Sequence, residues 1–137
     1  MNTNIYFKSI FGSTKKYANW LQEATSASLF KLNKISTENI NTADNIIIMS
    51  GTYAGQMPLV KTLENNWNSL KDKNVIVIAI GAAKANDKQS EISYKLIPAE
   101  IRKNIKYFKL PGQTLNSVKN CVKKDNLSPI IEILEEK

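Results

Sequence analysis

Histidine is absent from the 137 residues of this sequence. It is the commonest general acid or base near neutral pH and the commonest side-chain metal ligand. It is also the base of Ser-His and Cys-His nucleophilic sites, so its absence excludes that machinery. Cys121 is the single cysteine, which excludes an internal disulfide and a cysteine-based zinc cluster. Such sparse cysteine usage fits a reducing compartment, and we expect a cytoplasmic location.

Long apolar runs are absent as well. The longest, residues 75–80, is far shorter than the ~20 residues that span a bilayer. Residues 1–4 contain no basic segment leading into an apolar one, so we expect no secretory signal. Because 42% of the residues are hydrophobic, the sequence predicts one globular domain over residues 1–137 with a substantial core.

Acidic residues are in the minority. The sequence has 12 Asp and Glu against 19 Lys and Arg, giving a net charge of +7. Such a bias attracts anionic partners, whether nucleic acid, anionic lipid or an acidic protein. No nucleic-acid-binding motif accompanies it, so we expect no nucleic-acid partner, while peripheral contact with an anionic membrane stays open. Lysines on solvated helix faces are the simpler interpretation of the same charge.

Strand-like apolar runs alternate with helical periodicities along the whole sequence. The runs occupy residues 5–7, 28–32, 45–49, 75–80 and 105–110, and helical patterns cover 17–24, 60–70, 87–97, 114–122 and 128–134. Residues 36–44 read as a connection or one irregular turn. Trp20, Trp67 and Cys121 fall at apolar helical positions and are predicted to be buried. The alternation predicts an α/β fold, a parallel sheet with helices on both faces.

Three of the predicted strands end in loops that contain glycine, at residues 9–14, 50–56 and 81–84. In open parallel sheets, ligands bind beyond the carboxyl ends of the strands. If the first, third and fourth strands are neighbours, these loops converge on one site. In the first loop, hydroxyls surround Gly12 before a helix, whose N-terminal amides can bind a phosphate. The alternative without a ligand is that Ser13 caps the helix and Gly12 turns the chain.

The order and spacing of these loops resemble the flavodoxin family. Ser9-x-x-Gly12-x-Thr14 resembles the loop that holds the phosphate of FMN, and Tyr53-Ala54-Gly55 resembles the first loop that contacts the isoalloxazine. Gly81-Ala82-Ala83 occupies the place of the second. The similarity covers essentially the whole chain and is closest to the branch that includes the flavodoxin-like protoporphyrinogen oxidases. It implies a three-layer sandwich around a five-stranded parallel sheet of order 2-1-3-4-5.

The resemblance also implies FMN as the cofactor, held by all three loops, with no metal and no catalytic side chain. Amides and hydroxyls of the first loop would bind the phosphate, Tyr53 would stack on the ring, and glycines would let the backbone approach it. Tyr94 is a distant candidate for the aromatic that commonly covers the ring from the second loop. The residues assigned to FMN are Ser9, Phe11, Gly12, Ser13, Thr14, Gly51, Thr52, Tyr53, Ala54, Gly55, Gly81, Ala82 and Ala83.

Two features depart from the family pattern. Phe11 stands where many flavodoxins have a threonine or serine, and flavodoxins proper are usually strongly acidic. Three functions remain: an FMN electron carrier between redox partners, an FMN oxidoreductase acting on a quinone or porphyrinogen, or a flavodoxin-fold module that has lost FMN. We prefer the electron carrier. The sequence leaves open whether the protein is an enzyme, which partners it has, and its oligomeric state.

Overall fold

Short apolar segments pair in parallel to form the sheet around which the chain folds. The computed structural model describes residues 2–9, 12–52, 56–81, 88–112 and 121–135. Its five strands have the order 2-1-3-4-5, as the family resemblance implies. They are β1 (Thr3–Lys8), β2 (Ser28–Lys31), β3 (Asn45–Gly51), β4 (Asn74–Gly81) and β5 (Lys106–Pro111).

Helices cover both faces of this sheet. Those in the described residues are α1 (Ser13–Thr25), α2 (Thr37–Ile40), α3 (Leu59–Leu70), α4 (Lys88–Lys95), α5 (Ala99–Arg102) and α6 (Ser128–Glu135). Two short 3-10 helices, Leu32–Lys34 and Lys124–Leu127, precede α2 and α6. Among these residues, no helix is both long enough and apolar enough to cross a bilayer.

The central strand β3 is buried along its whole length. Ile46 and Ile48 pack into the core layer beneath α3, whereas Ile47 and Met49 pack into the layer beneath α1 and α6. Successive side chains of a strand point to opposite faces, so three consecutive isoleucines serve two layers at once. Trp20 and Trp67, predicted to be buried, are half-buried and pack against these two layers.

Hydrogen bonds of Asn39 fix the connection from β2 to β3. The side chain of Asn39 accepts from the Tyr6 hydroxyl at 2.7 Å and donates to the Lys34 carbonyl at 2.8 Å. The Asn39 carbonyl accepts from Asn4 Nδ2 at 2.8 Å. Ser36 and Asn39 form a capping box, so the irregular turn expected at residues 36–44 contains the one-turn helix α2.

The helix predicted over residues 114–122 is wrong at its end. Residues 113–120 lie outside the described part, but Cys121, Val122 and Lys123 are not helical, and Cys121 is half-buried. Asn126 Nδ2 donates to the Cys121 carbonyl and to the Tyr17 hydroxyl, both at 2.9 Å. These hydrogen bonds fix the backbone before α6. They cannot be recognised from helical periodicity in the sequence.

Candidate functional site

The carboxyl ends of β1, β3 and β4 lie side by side, which is the condition under which the three loops converge on one site. Lys8 of β1 pairs with Ser50 of β3, and Gly51 of β3 pairs with Ile80 of β4. Gly81 pairs in turn with Pro111 of β5. The loops that follow these strands therefore begin at one edge of the sheet, here called the carboxyl edge.

The N-terminus of α1 opens onto the carboxyl edge without a side-chain cap. Its N-cap is Gly12, at φ 88°, a conformation that L side chains rarely adopt. The Gly12 carbonyl accepts from the Lys16 amide at 3.0 Å, so the amides of Thr14 and Lys15 precede the first helical hydrogen bond. Ser13 is the first helical residue and not the cap, which removes the alternative based on Ser13 capping.

Hydroxyl groups lie around these amides. The Ser9 hydroxyl oxygen accepts from the Gly12 amide at 3.1 Å, which leaves its own proton available to donate. Thr14 is 3% exposed, and its hydroxyl makes no hydrogen bond to any residue that the structure describes. Lys15 and Lys16 add two exposed cations to a first turn without an acidic residue. This donor set and the positive end of the helix dipole fit a phosphate group.

At the ends of β3 and β4, a side chain and a glycine fit closely together. The Thr52 amide donates to the Ile80 carbonyl at 2.9 Å, which extends the ladder past Gly51. A Cβ at position 81 would collide with Thr52 Oγ1. The Gly112 amide donates to the Gly81 carbonyl at 2.9 Å, so β5 continues the same edge. Gly81 is therefore required by the packing of Thr52, whatever ligand lies beyond.

Lys109 is a candidate that sequence reasoning missed. It is half-buried on β5, and its Nζ donates to the Gly81 carbonyl at 3.4 Å. The register pairs Lys109 with Ala79 of β4, which brings its ammonium to the predicted second ring-binding loop. A lone lysine on a strand matches no motif, and only this pairing shows where it lies.

Tyr17 ties α1 to the end of β5. The Tyr17 hydroxyl donates to the Pro111 carbonyl at 2.7 Å and accepts from Asn126 Nδ2 at 2.9 Å. Burial raises the pKa of Tyr17, and the hydrogen bond from Asn126 partly offsets this rise. The Tyr17 hydroxyl is therefore protonated at neutral pH, and its hydrogen bonds hold α1 in place behind the loop that joins β1 to α1.

Tyr94 lies at the wrong end of the sheet for a ring-covering aromatic. It belongs to the last turn of α4, and its ring lies 4.7 Å from that of Tyr107, near the amino end of β5. The guanidinium of Arg102 lies 5.5 Å from the Tyr94 ring centre. The Tyr94 ring is therefore used in packing between α4, α5 and β5.

The other predicted contacts divide by position. Ser9, Gly12, Ser13, Thr14, Gly51, Thr52 and Gly81 come together at the carboxyl edge. Phe11, Tyr53, Ala54, Gly55, Ala82 and Ala83 lie outside the described residues, so their roles stay predictions. Within the described ranges, no group of three or more acidic or cysteine side chains is placed to bind a metal.

A groove of about 240 Å³ adjoins the first loop, between the ends of β1 and β2. Two exposed lysines, Lys8 and Lys31, lie on its wall next to Ser9. Its remaining lining residues are Phe7, Leu32 and Asn33.

Comparisons with known proteins agree with this geometry. The model of the flavodoxin domain family matches residues 4–137. None of the curated proteins compared with this chain matches it in sequence.

Solved structures share the fold at low sequence identity. Oxidised flavodoxin 2 from Bacillus cereus has a TM-score of 0.63 at 17% identity, covering 98% of this chain and 99% of that one. The flavodoxin of Fusobacterium nucleatum, solved bound to flavin mononucleotide, has a TM-score of 0.58 at 15% identity, covering 99% and 98%. The Trp repressor binding protein of Bacillus subtilis has a TM-score of 0.65 at 16% identity, covering 100% and 99%.

Proposed function

Because the chain belongs to the flavodoxin domain family, we propose that it is an FMN-binding redox protein that carries electrons between partners. The observation that carries this proposal is the uncapped N-terminus of α1 at the carboxyl edge. Amides, hydroxyls and two lysines converge there without an acidic residue in the first turn. A dianionic phosphate matches that arrangement in charge and in hydrogen-bonding capacity.

Each group of the first loop has a role in this proposal. The amides of Thr14 and Lys15 donate to the FMN phosphate, as does the proton that the Ser9 hydroxyl retains while accepting from Gly12. The hydroxyl of Thr14 supplies a further donor. The amide of Phe11 and the hydroxyl of Ser13 are assigned to the phosphate by family resemblance.

The ends of β3, β4 and β5 form the other half of the proposed site. Thr52 and Gly81 place their backbone there, and Tyr53, Ala54, Gly55, Ala82 and Ala83 follow them in the chain. When bound, FMN supplies the electron-transfer chemistry, and the protein holds it and tunes its potential. The ammonium of Lys109, half-buried at this edge, favours negative charge on a ring bound beside it.

The proposal is tested by anaerobic titration of the purified protein with FMN and with riboflavin, followed by absorbance. We expect FMN to bind far more tightly than riboflavin, because riboflavin lacks the phosphate. Replacing Ser9→Ala should weaken FMN binding about 10- to 100-fold, since a hydrogen bond to a charged group contributes roughly 1.5–3 kcal/mol.

Ser28→Ala is the matched control, an exposed serine at the start of β2 and the opposite edge of the sheet. It should leave FMN affinity unchanged, and Ser9→Ala should leave riboflavin affinity unchanged. Absence of FMN binding at micromolar concentrations would contradict the proposal and favour a module that has lost the cofactor. Rapid turnover of the loaded protein with a quinone or porphyrinogen would instead assign it to the oxidoreductase class.

A further inference from the structure

Six exposed lysines surround the carboxyl edge. They occupy the last residues of β1 and β2 and the first turns of α1, α3 and α4. None of the six side chains makes a hydrogen bond or ion pair with another described residue. We call them the edge lysines: Lys8, Lys15, Lys16, Lys31, Lys61 and Lys88.

Few carboxylates accompany the edge lysines in the described residues. The first turns of α1 and α3 contain no acidic residue, and Glu91 in the first turn of α4 is paired with Lys95 at 2.9 Å. Glu38 in α2 has Lys34 nearby in sequence, and Asp125 adjoins Lys124, so these charges balance locally. Glu64 follows Lys61 by three residues in α3 but makes no ion pair with it. Among the described residues, the positive charge of the edge lysines is therefore left without ion pairs.

The opposite, amino edge of the sheet is close to balanced. There the four acidic residues Glu23, Asp44, Asp72 and Glu100 stand against the five basic residues Lys71, Lys73, Arg102, Lys103 and Lys106. Glu100 is paired with Lys103 at 3.0 Å. Among the described residues, the excess of positive charge thus lies on the side of the molecule where the strands end. Helices that start at this edge add the positive ends of their dipoles.

A bound cofactor leaves most of this charge in place. The phosphate of FMN carries about two negative charges, which the α1 N-terminus, Lys15 and Lys16 offset. Lys31, Lys61 and Lys88 belong to other elements. Because β2, β1, β3 and β4 are neighbours spaced ~4.8 Å apart, the edge lysines span roughly 15 Å or more. That width suits a protein surface better than a small anion.

We propose that the carboxyl edge is the docking surface for an acidic face of a partner protein. The inference rests on the proposed function, since it places the partner over the edge where FMN would bind and electrons would leave. The edge lysines steer and orient the partner, and such complementary charges speed association and make it sensitive to salt. The groove flanked by Lys8 and Lys31 admits a carboxylate side chain of that partner.

An anionic membrane fits the same edge less well. Proteins that lie on a bilayer insert apolar side chains among their cations. In the described residues, the large hydrophobic side chains that are exposed are Ile92 and Leu96, in α4 beyond its first turn and just after its end. Both lie away from the strand ends, so no described residue gives the edge lysines an exposed large apolar companion there.

The test uses cytochrome c in two forms, native and basic or succinylated and acidic, so that only the charge of the probe differs. Binding to the protein without FMN is measured by calorimetry at low salt. Electron transfer from the reduced, FMN-loaded protein is measured separately by stopped flow. We expect succinylated cytochrome c to bind and to be reduced at least about tenfold faster than the native form, with both effects lost at high salt.

Two triple variants with equal net charge provide the control. The edge variant carries Lys31→Glu, Lys61→Glu and Lys88→Glu, outside the residues assigned to FMN. The control variant carries Lys71→Glu, Lys73→Glu and Lys106→Glu at the amino edge. The edge variant should lose at least about tenfold in affinity for the acidic probe, and the control variant much less, because docking depends on local charge.

Three outcomes of these experiments would contradict the docking proposal. Equal losses in both variants would show a general charge effect and overturn the proposal, as would equal binding of the two cytochromes. Binding to phosphatidylglycerol vesicles without binding to succinylated cytochrome c would assign the edge to a membrane and also overturn it. Because binding is measured without FMN, failure of the cofactor proposal and failure of the docking proposal remain distinguishable.

Discussion

Individual residues at the carboxyl edge are constrained by packing as much as by any ligand. Gly81 is the clearest example, because the Thr52 hydroxyl occupies the space of a Cβ at this position. By contrast, a Cβ at Gly12 would meet no atom within 4 Å, and its positive φ is what favours glycine there. Glycine is therefore favoured at these two positions for different physical reasons: lack of space at position 81 and backbone conformation at position 12.

The packing of Gly81 predicts a coupled pair of substitutions. Gly81→Ala should lower the free energy of unfolding by about 1–3 kcal/mol, since the added methyl forces Thr52 to move. The same substitution in a Thr52→Ala background should cost much less, because the colliding hydroxyl is gone. Urea denaturation of all four proteins measures this coupling, and additive effects would contradict it.

Tyr107 predicts a loss of stability in alkali. Burial, with a smaller effect from Tyr94, raises the pKa of Tyr107 to about 12. The unfolded chain ionises near pH 10, so the stabilisation is complete below that pH and is lost as the pH rises to about 12. The free energy of unfolding should fall by at most ~1.4 kcal/mol per pH unit from this group.

Tyr107→Phe is the matched comparison. The hydroxyl contacts Met57 Sδ at 3.8 Å, a weak interaction, so the variant should fold normally at neutral pH. Its free energy of unfolding, measured in urea between pH 9 and 12, should decline less steeply than that of the parent. Parallel declines would show that Tyr107 ionises as readily in the folded protein as in the unfolded chain.

Among the elements, the crossover from β2 to β3 depends on one side chain. Asn39 joins α2 to β1 through Tyr6 and to the preceding 3-10 helix through Lys34. It also accepts from the Ser36 amide at 3.0 Å. Ile40 and Ala43 of this connection are buried in the core, and the hydrogen bonds of Asn39 fix the polar part of the segment around them.

Asn39→Ala should therefore destabilise the protein by about 2 kcal/mol, because the buried Tyr6 hydroxyl loses its acceptor. Asn66→Ala is the control, since Asn66 bonds only to the Thr62 carbonyl within α3, at 2.9 Å, among described residues. It should change the free energy of unfolding by less than about 0.5 kcal/mol. Thermal denaturation separates the two, and equal effects would refute the assigned role of Asn39.

Helices and strands differ in how well the sequence predicts them. The strands and the central parts of α1, α3, α4 and α6 can be predicted from apolar periodicity, because this periodicity is visible within a short stretch of sequence. The helix expected through Val122 fails because Asn126 donates to the Tyr17 hydroxyl across the fold and to the nearby Cys121 carbonyl. The family resemblance makes Tyr94 a distant candidate for covering the ring, yet its place against Tyr107 depends on β4–β5 pairing.

At the scale of the whole molecule, cofactor binding and stability are linked. The proposed phosphate loop is continuous with β1 and α1, which share the core layer of Ile5, Tyr17 and Leu21. A ligand that binds only the folded state stabilises it by about 2.7 kcal/mol at 100 times its dissociation constant. FMN should raise the free energy of unfolding by that amount, and riboflavin at equal concentration by much less.

Calorimetric melting with increasing FMN measures this linkage. Ser9→Ala should shift the dependence to higher FMN concentration without altering the midpoint of the ligand-free protein by more than a few degrees. Ser28→Ala should follow the parent at every concentration. A melting temperature that does not change with FMN concentration would contradict the link between FMN binding and stability, even if flavin were found in the preparation.

The sequence by itself determined the fold class, the order of its elements, the glycine-bearing loops and the excess of basic residues. Periodicity, loop composition and charge are properties of residues close together in the chain, so they can be recognised without knowing the tertiary contacts. Only the tertiary structure decided that Thr52 requires glycine at position 81, that Lys109 reaches the Gly81 carbonyl, and that the edge lysines gather at one edge of the sheet. These three features depend on strand register and helix direction. Contacts between residues far apart in the chain determine both.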